Sequence, residues 1–172
     1  MRGFEDVPVN WSPASIWTDD NGTQHTTVEF IVPGDPISQG NMIQNRYGRI
    51  YDKTKGLREW RAKVTAQAQA AMKGGYRRST SGPVELDIIT GPVLLDVTFV
   101  LDRPKSTPKR QTPPAIKKPD LSKLVRAIED SMTGVVYVDD AQIIETLSRK
   151  RLADIGEIPG AHILITTNVS VP

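Results

Sequence analysis

Between Lys117 and Ile143 the chain reads KKPDLSKLVRAIEDSMTGVVYVDDAQI, which sets carboxylates at three points around one short helix. Asp120 follows Pro119 where a helix should begin, Asp130 falls on the polar side of its third turn, and Asp139-Asp140 follows an apolar run. Hard divalent cations such as magnesium prefer oxygen ligands of this kind. The helix itself is legible at 100° per residue: Leu121, Leu124, Val125, Ile128 and Met132 form one stripe, and Ser122, Lys123, Arg126, Glu129 and Asp130 the other. Each acid also has an ordinary explanation. Asp120 can cap the helix, a contribution of about 1 kcal/mol, and Arg126 and Asp130 can form an i, i+4 surface pair. Asp139-Asp140 can be a hairpin turn between Val135-Val138 and Ala141-Ile144. Two-residue hairpin turns, however, favour Asn-Gly or Asp-Gly, because both positions need φ > 0. Neighbouring carboxylates also repel unless a bound cation reverses the sign of their interaction.

Directly before this helix lies a run with no acid between its ends: Arg103, Lys105, Lys109, Arg110, Lys117 and Lys118, interleaved with Pro104, Pro108, Pro113, Pro114 and Pro119. Proline at that density predicts an extended loop whose cations project into solvent, where they suit a polyanion. Arg46, Tyr47 and Arg49 in an earlier polar loop are further candidates for phosphate contact. The alternative for both segments is a solvated connector.

These residues need elements to hold them. Residues 1–25 show no clean period and read as a poorly ordered arm, with one domain over 26–172. Thr27-Val32, β-branched and aromatic, predicts a first strand stopped by Pro33-Gly34, and a long polar loop covers Asp35 to Asp52. Leu57, Trp60, Val64, Ala68 and Met72 predict a helix over Lys55-Met72 with Trp60 in the core. Val84-Ile89, Val93-Val100, Gln142-Arg151 and His162-Val169 read as strands. The fold class expected is α/β or α+β, a small mixed sheet with two main helices on one face. Composition excludes several chemistries. The absence of cysteine removes thiolate metal sites and cysteine nucleophiles, and His25 and His162 are the whole supply of imidazole. With 6% aromatic residues the chain is poorly equipped as a stacking-based binder of single strands. It has no long apolar run and no apolar leader, so a soluble, cytoplasmic protein without membrane contact is expected.

Taken in order, Pro119-Asp120-Leu121-Ser122-Lys123-Leu124, Arg126, Asp130, Gly134 and Asp139-Asp140-Ala141-Gln142-Ile143 resemble the RusA-type Holliday-junction resolvases. Their hallmark is an Asp-Leu-Asp helix opening, a basic residue one turn on, a later aspartate, then Asp-Asp-Ala-Gln. Phe30-Pro36, Gln39-Gly40 and Gly56-Arg61 look like the N-terminal half of phage and prophage members, so the likeness covers roughly 26–169. The resemblance implies an intertwined homodimer of a bacterial host or its phage. It implies a magnesium-dependent endonuclease, with manganese as a substitute and no small-molecule cofactor, that nicks four-way or branched DNA symmetrically. It makes Asp120 and Asp140 metal ligands, with Asp139 as a further one, and sets Arg126 at the scissile phosphate. Lys123, one turn before Arg126, joins it in neutralising phosphate, and Lys105, Lys109, Arg110, Lys117, Lys118, Arg46 and Arg49 would hold the DNA arms. One position departs from the pattern: Ser122 stands where the family has its second aspartate, and a hydroxyl brings no negative charge to a metal. Two further readings therefore stay open, a junction-binding protein that cuts slowly or not at all, and a structural domain whose acids are caps and turns.

Overall fold

The computed structural model describes residues 14–170 apart from 19, 22, 41 and 78–82. Its main sheet is built on β2 (Thr23–Pro33), β7 (Val93–Leu101) and β9 (Gly160–Ser170). β-Branched residues dominate these strands, and every second one turns inward: Val28, Phe30 and Val32 on β2, Ile163 and Ile165 on β9, and Val93, Leu95, Val97 and Phe99 on β7. Against that face pack α1 (Leu57–Lys73) and α2 (Leu121–Met132), which also pack on each other. Leu57, Trp60, Val64, Ala68 and Met72 form the buried stripe of α1, and Leu124, Val125, Ile128 and Met132 that of α2, as their spacing predicts.

The remaining strands are β1 (Ala14–Thr18), β3 (Met42–Gln44), β4 (Ile50–Asp52), β5 (Gly75–Arg77), β6 (Pro83–Val84) and β8 (Ile143–Leu152). The large sheet has the order β6-β5-β1-β2-β9-β7-β8, mixed because β1 with β5 and β7 with β8 run parallel. The β7–β9 and β2–β9 pairs are antiparallel and in continuous register, so β9 joins the two other long core strands. At Gly160 a Cβ would lie 2.5 Å from the Val32 carbonyl oxygen, so this crossing of β9 and β2 admits only glycine. No helix among the described residues is long and apolar enough to cross a membrane.

The architecture expected from the sequence is the one observed, with local corrections. The sheet begins at Ala14 rather than near Thr26, because β1 pairs with residues 24–28 of β2. The rest of the expected arm, residues 1–13, lies outside the described residues. The polar loop after Pro33 contains a hairpin, β3 with β4. Val84-Ile89 is not a strand beyond Val84. Leu86 donates to the Met72 carbonyl and Ile89 to that of Val136, so this segment bonds to helix ends and connections instead of a sheet neighbour. The hairpin considered around Asp139-Asp140 does not form either; Val138 N donates to the Ile89 carbonyl, and the two aspartates open a 3-10 turn, Asp140–Gln142.

Candidate functional site

The 3-10 turn separates the two adjacent aspartates by role. Asp139 sits at its N-cap in extended backbone, and its Oδ1 accepts from Ala141 N at 2.8 Å. Gln142 Oε1 accepts in return from Asp139 N at 2.9 Å, which completes a capping box. Gln142 Nε2 also donates to the carbonyls of Ile89 (3.0 Å) and Gly91 (2.8 Å), bolting the turn to the segment before β7. A pair of like charges that looks gratuitous in the sequence thus has a structural reason for its first member. Asp140 has no such duty: its carboxylate is exposed and makes no hydrogen bond among the described residues.

Asp140 faces the C-terminal half of α2. Burial pushes the Glu129 carboxyl above its ordinary value, the charges of Asp140 and Asp130 push it further, and Arg126 pulls it back. Tyr137, fully buried, donates its hydroxyl to the Glu129 carbonyl oxygen at 3.0 Å. Burial, with the negative field of Glu129, Asp140 and Asp130, holds that phenol protonated far above the usual range. Arg126, Glu129, Asp130 and Asp140 therefore share one electrostatic neighbourhood. Neither Glu129 nor Tyr137 stands out in the sequence, one being an ordinary helix acid and the other part of an apolar run.

At the other end of α2, Asp120 holds the N-cap position, but its side chain makes no capping bond. Its Oδ2 lies 3.4 Å from Lys123 Nζ, and both side chains are half-exposed. Ser122 is exposed on the same turn. Lys123 is crowded by the loop after β2: Gln39 N donates to the Lys123 carbonyl at 3.1 Å, and a Cβ on Gly40 would come within 3.1 Å of the lysine stem. Asp130 does not pair with Arg126 as the i, i+4 spacing suggests. It pairs with Arg61 of α1, whose other contact is Gln39 Oε1 at 2.6 Å. Arg61 therefore ties α1, α2 and the 35–40 loop together at the back of the site. A tertiary partner, fixed from two sides, replaces a local one.

The cations of the basic loop sort by function as well. Arg103 turns inward, donating to Thr112 Oγ1 (2.8 Å) and to the carbonyls of Ala153 (3.0 Å) and Pro108 (2.6 Å), so it shapes the loop. Lys150 on β8 holds the loop's end through the carbonyls of Lys117 (2.8 Å) and Pro119 (2.7 Å). Lys105, Lys109, Arg110, Lys117 and Lys118 are exposed, and none forms an ion pair among the described residues. Under the loop is a cavity of about 560 Å³, lined by Pro104, Pro113, Ile116, Pro119 and Leu152 among others. Arg46 and Arg49 stand apart, in the β3–β4 turn.

Among the described residues no three acidic or histidine side chains converge closely enough to hold a metal ion by themselves. Asp140 makes no side-chain hydrogen bond or ion pair among the described residues, Asp120 makes only the half-exposed pair with Lys123, and the two lie toward opposite ends of α2. Each by itself is a donor that magnesium can use, since that ion usually binds one or two carboxylates and completes its shell with water and substrate phosphate rather than a protein cage.

A protein-family model described as endodeoxyribonuclease RusA matches residues 33–166, which takes in the β2–β3 loop, both helices, the basic loop and the Asp139-Asp140 turn. The chain is also similar to the uncharacterized protein YqaN of Bacillus subtilis (strain 168), 29% identical over 130 residues that make up 69% of this chain and 82% of that relative. Membership of the family implies a Holliday-junction-resolving endonuclease, and nucleases of this family are generally dependent on a divalent metal. The exposed aspartates at the two ends of α2, the basic and acidic residues on its face and the basic loop beside it all lie within the matched span, and the chain belongs to the RusA endodeoxyribonuclease family.

Proposed function

We propose that this chain is a magnesium-dependent endonuclease that nicks four-way DNA junctions, with Asp120 and Asp140 as metal ligands and Lys123 and Arg126 as phosphate-neutralising groups. The observation that supports it most is the division of labour at the 3-10 turn: Asp139 and Gln142 form a cap that presents Asp140 outward, without a partner of its own. A carboxylate exposed, oriented and kept in a negative field has little value for stability and much for binding a cation. When bound, a divalent ion supplies Lewis acidity at the phosphate and charge neutralisation as the bond breaks. The chain's own cations do the rest. Arg126 and Lys123 lie on the exposed side of α2 one turn apart, where they can hold the phosphate between the two aspartates. Lys105, Lys109, Arg110, Lys117 and Lys118 hold a DNA arm by its backbone, which makes binding steeply salt-dependent.

The partner is a second copy. β8 is an edge strand of ten residues, and Ile144 and Leu147 on it are 70% and 54% exposed. A ten-residue strand left unpaired at a sheet edge is a template for pairing with another chain. A two-fold axis beside β8 would set two such edges antiparallel and present two sites to a substrate that is itself nearly two-fold symmetric.

Nicking of a labelled four-way junction, against a matched linear duplex and with and without Mg²⁺, tests the assignment. The native chain is expected to cut the junction only with metal, and Asp140→Asn to bind it with at least a hundredfold less cleavage, roughly the cost of removing one electrostatic group at a reacting phosphate. Metal-independent cutting, or full activity in Asp140→Asn, would sink the assignment. Ser122, together with the lack of a three-carboxylate cluster among the described residues, favours a second reading, junction binding without cleavage. Under that reading only Ser122→Asp cuts.

A further inference from the structure

The β3–β4 hairpin has a construction that holding phosphate does not explain. Tyr47 at its turn is 77% exposed, and Met42 and Ile50 on its strands are 55% and 61% exposed. Surface arginines need no aromatic beside them to hold phosphate, yet the Arg46 guanidinium lies 4.7 Å from the Tyr47 ring centroid. At that exposure the contact leaves most of the ring surface open. Arg49 adds a second cation next to Gly48, whose φ of 79° lets the chain reverse.

Both ends of the hairpin are held by side-chain hydrogen bonds. At the tip, Asn45 Oδ1 accepts from Tyr47 N (2.9 Å) and Arg49 N (3.0 Å), and Gln44 Nε2 donates to the Gly48 carbonyl at 3.1 Å. At the root, Asp52 Oδ2 accepts from Gly40 N at 2.7 Å and its Oδ1 from Thr54 N at 2.8 Å. Gly40 in turn abuts Lys123, so the root stands on the first turn of α2, beside Asp120. Asp52 lies five positions after Tyr47. At about 3.3 Å per residue the ring is within roughly 17 Å of the root, or about five base steps along a stacked strand.

A cationic, aromatic tip at that reach complements an exposed base face, on which the ring can stack while the arginines meet the flanking backbone. Continuous duplex hides its base faces in the stack, whereas a crossover interrupts stacking and opens them. We infer that Tyr47, with Arg46 and Arg49, forms a wedge that stacks on an unstacked base at the branch point, and so selects branched DNA over duplex without reading sequence. The inference rests on the junction reading above. It supplies what that site lacks, since the basic loop grips any duplex alike.

Junctions carrying 2-aminopurine at the branch point test it, with Asp140→Asn as the background so that nothing is cut. Affinity for the junction and for a matched linear duplex is measured alongside fluorescence. Adding Tyr47→Ala is expected to lower the junction-over-duplex affinity ratio by roughly five- to a hundredfold, the range that stacking one base on an aromatic provides. The 2-aminopurine response should vanish with it, and Tyr47→Trp should keep both. Should Tyr47→Ala leave ratio and fluorescence as they were, the wedge is overturned while the junction reading stands. If the Asp140→Asn protein with Tyr47 intact shows no preference for the junction over duplex, both fall.

Discussion

Glu129 shows how one residue's environment reaches a measurable quantity. Burial first, then the charges of Asp140 and Asp130, raise its carboxyl above 4.5, so the folded state resists its ionisation. Below 4.5 the group is protonated in both states and costs nothing; as pH rises through the folded value, the chain loses stability that it had in acid. Glu129→Gln removes the charge. It is expected to raise the thermal midpoint by roughly 2 °C at pH 7, allowing for the half-exposed position, with the gain disappearing below pH 4.5. An equal gain at both pH values would mean that packing, not charge, is responsible. Arg126 and Asp130 carry a related lesson. Their i, i+4 spacing suggests a pair worth a few tenths of a kcal/mol, but Arg61, oriented by Gln39, takes Asp130 instead.

At the scale of the element, the 3-10 turn decides which aspartate is free. Removing Gln142 as Gln142→Ala deletes the reciprocal cap and the two bonds to the Ile89 and Gly91 carbonyls. A loss of about 2 kcal/mol in chemical denaturation is expected, and junction cleavage should fall more than junction binding, because Asp140 loses its orientation. The companion change discriminates roles. Asparagine caps as well as aspartate, so Asp139→Asn should keep both stability and cleavage. Should it abolish cleavage as Asp140→Asn is expected to, Asp139 is a metal ligand and not only a cap. The Pro-rich loop is organised in the same manner. Arg103 and Lys150 fold it from within and below, and that internal work leaves the other five cations to face outward.

The whole molecule is a sheet covered on one face by two helices, with β8 bare at one edge and the β3–β4 hairpin standing off the other layer. If β8 is where two copies meet, Leu147→Lys should convert the dimer to monomer in sedimentation velocity, with the fold unchanged by circular dichroism. It should also reduce paired nicking of a junction to single, uncoupled nicks, since one site then acts at a time. A native chain that sediments as a monomer at micromolar concentration would remove the edge from consideration. The sheet itself tolerates little at its centre, where Gly160 meets the Val32 carbonyl.

Periodicity carries far in this chain because burial is one-sided. A helix with one covered stripe and a strand with one covered face must write their periods into the sequence, so both helices and the long strands β2, β7 and β9 are legible there, as are the acids and the basic loop. The short pieces are not. β1, β6 and the segment around Leu86-Ile89 are defined by which backbone groups happen to find partners, and hydrogen bonds between distant segments leave no local period. The same limit applies to the site. Residue types announce oxygen ligands and phosphate-binding cations, but only tertiary contacts assign Asp139 to a cap, Asp130 to Arg61 and Arg103 to the loop's interior, leaving Asp140 and the outward cations unengaged and Asp120 with only Lys123 beside it. A side chain's chemistry is a property of its type, whereas its availability depends on what the fold has placed within hydrogen-bonding distance.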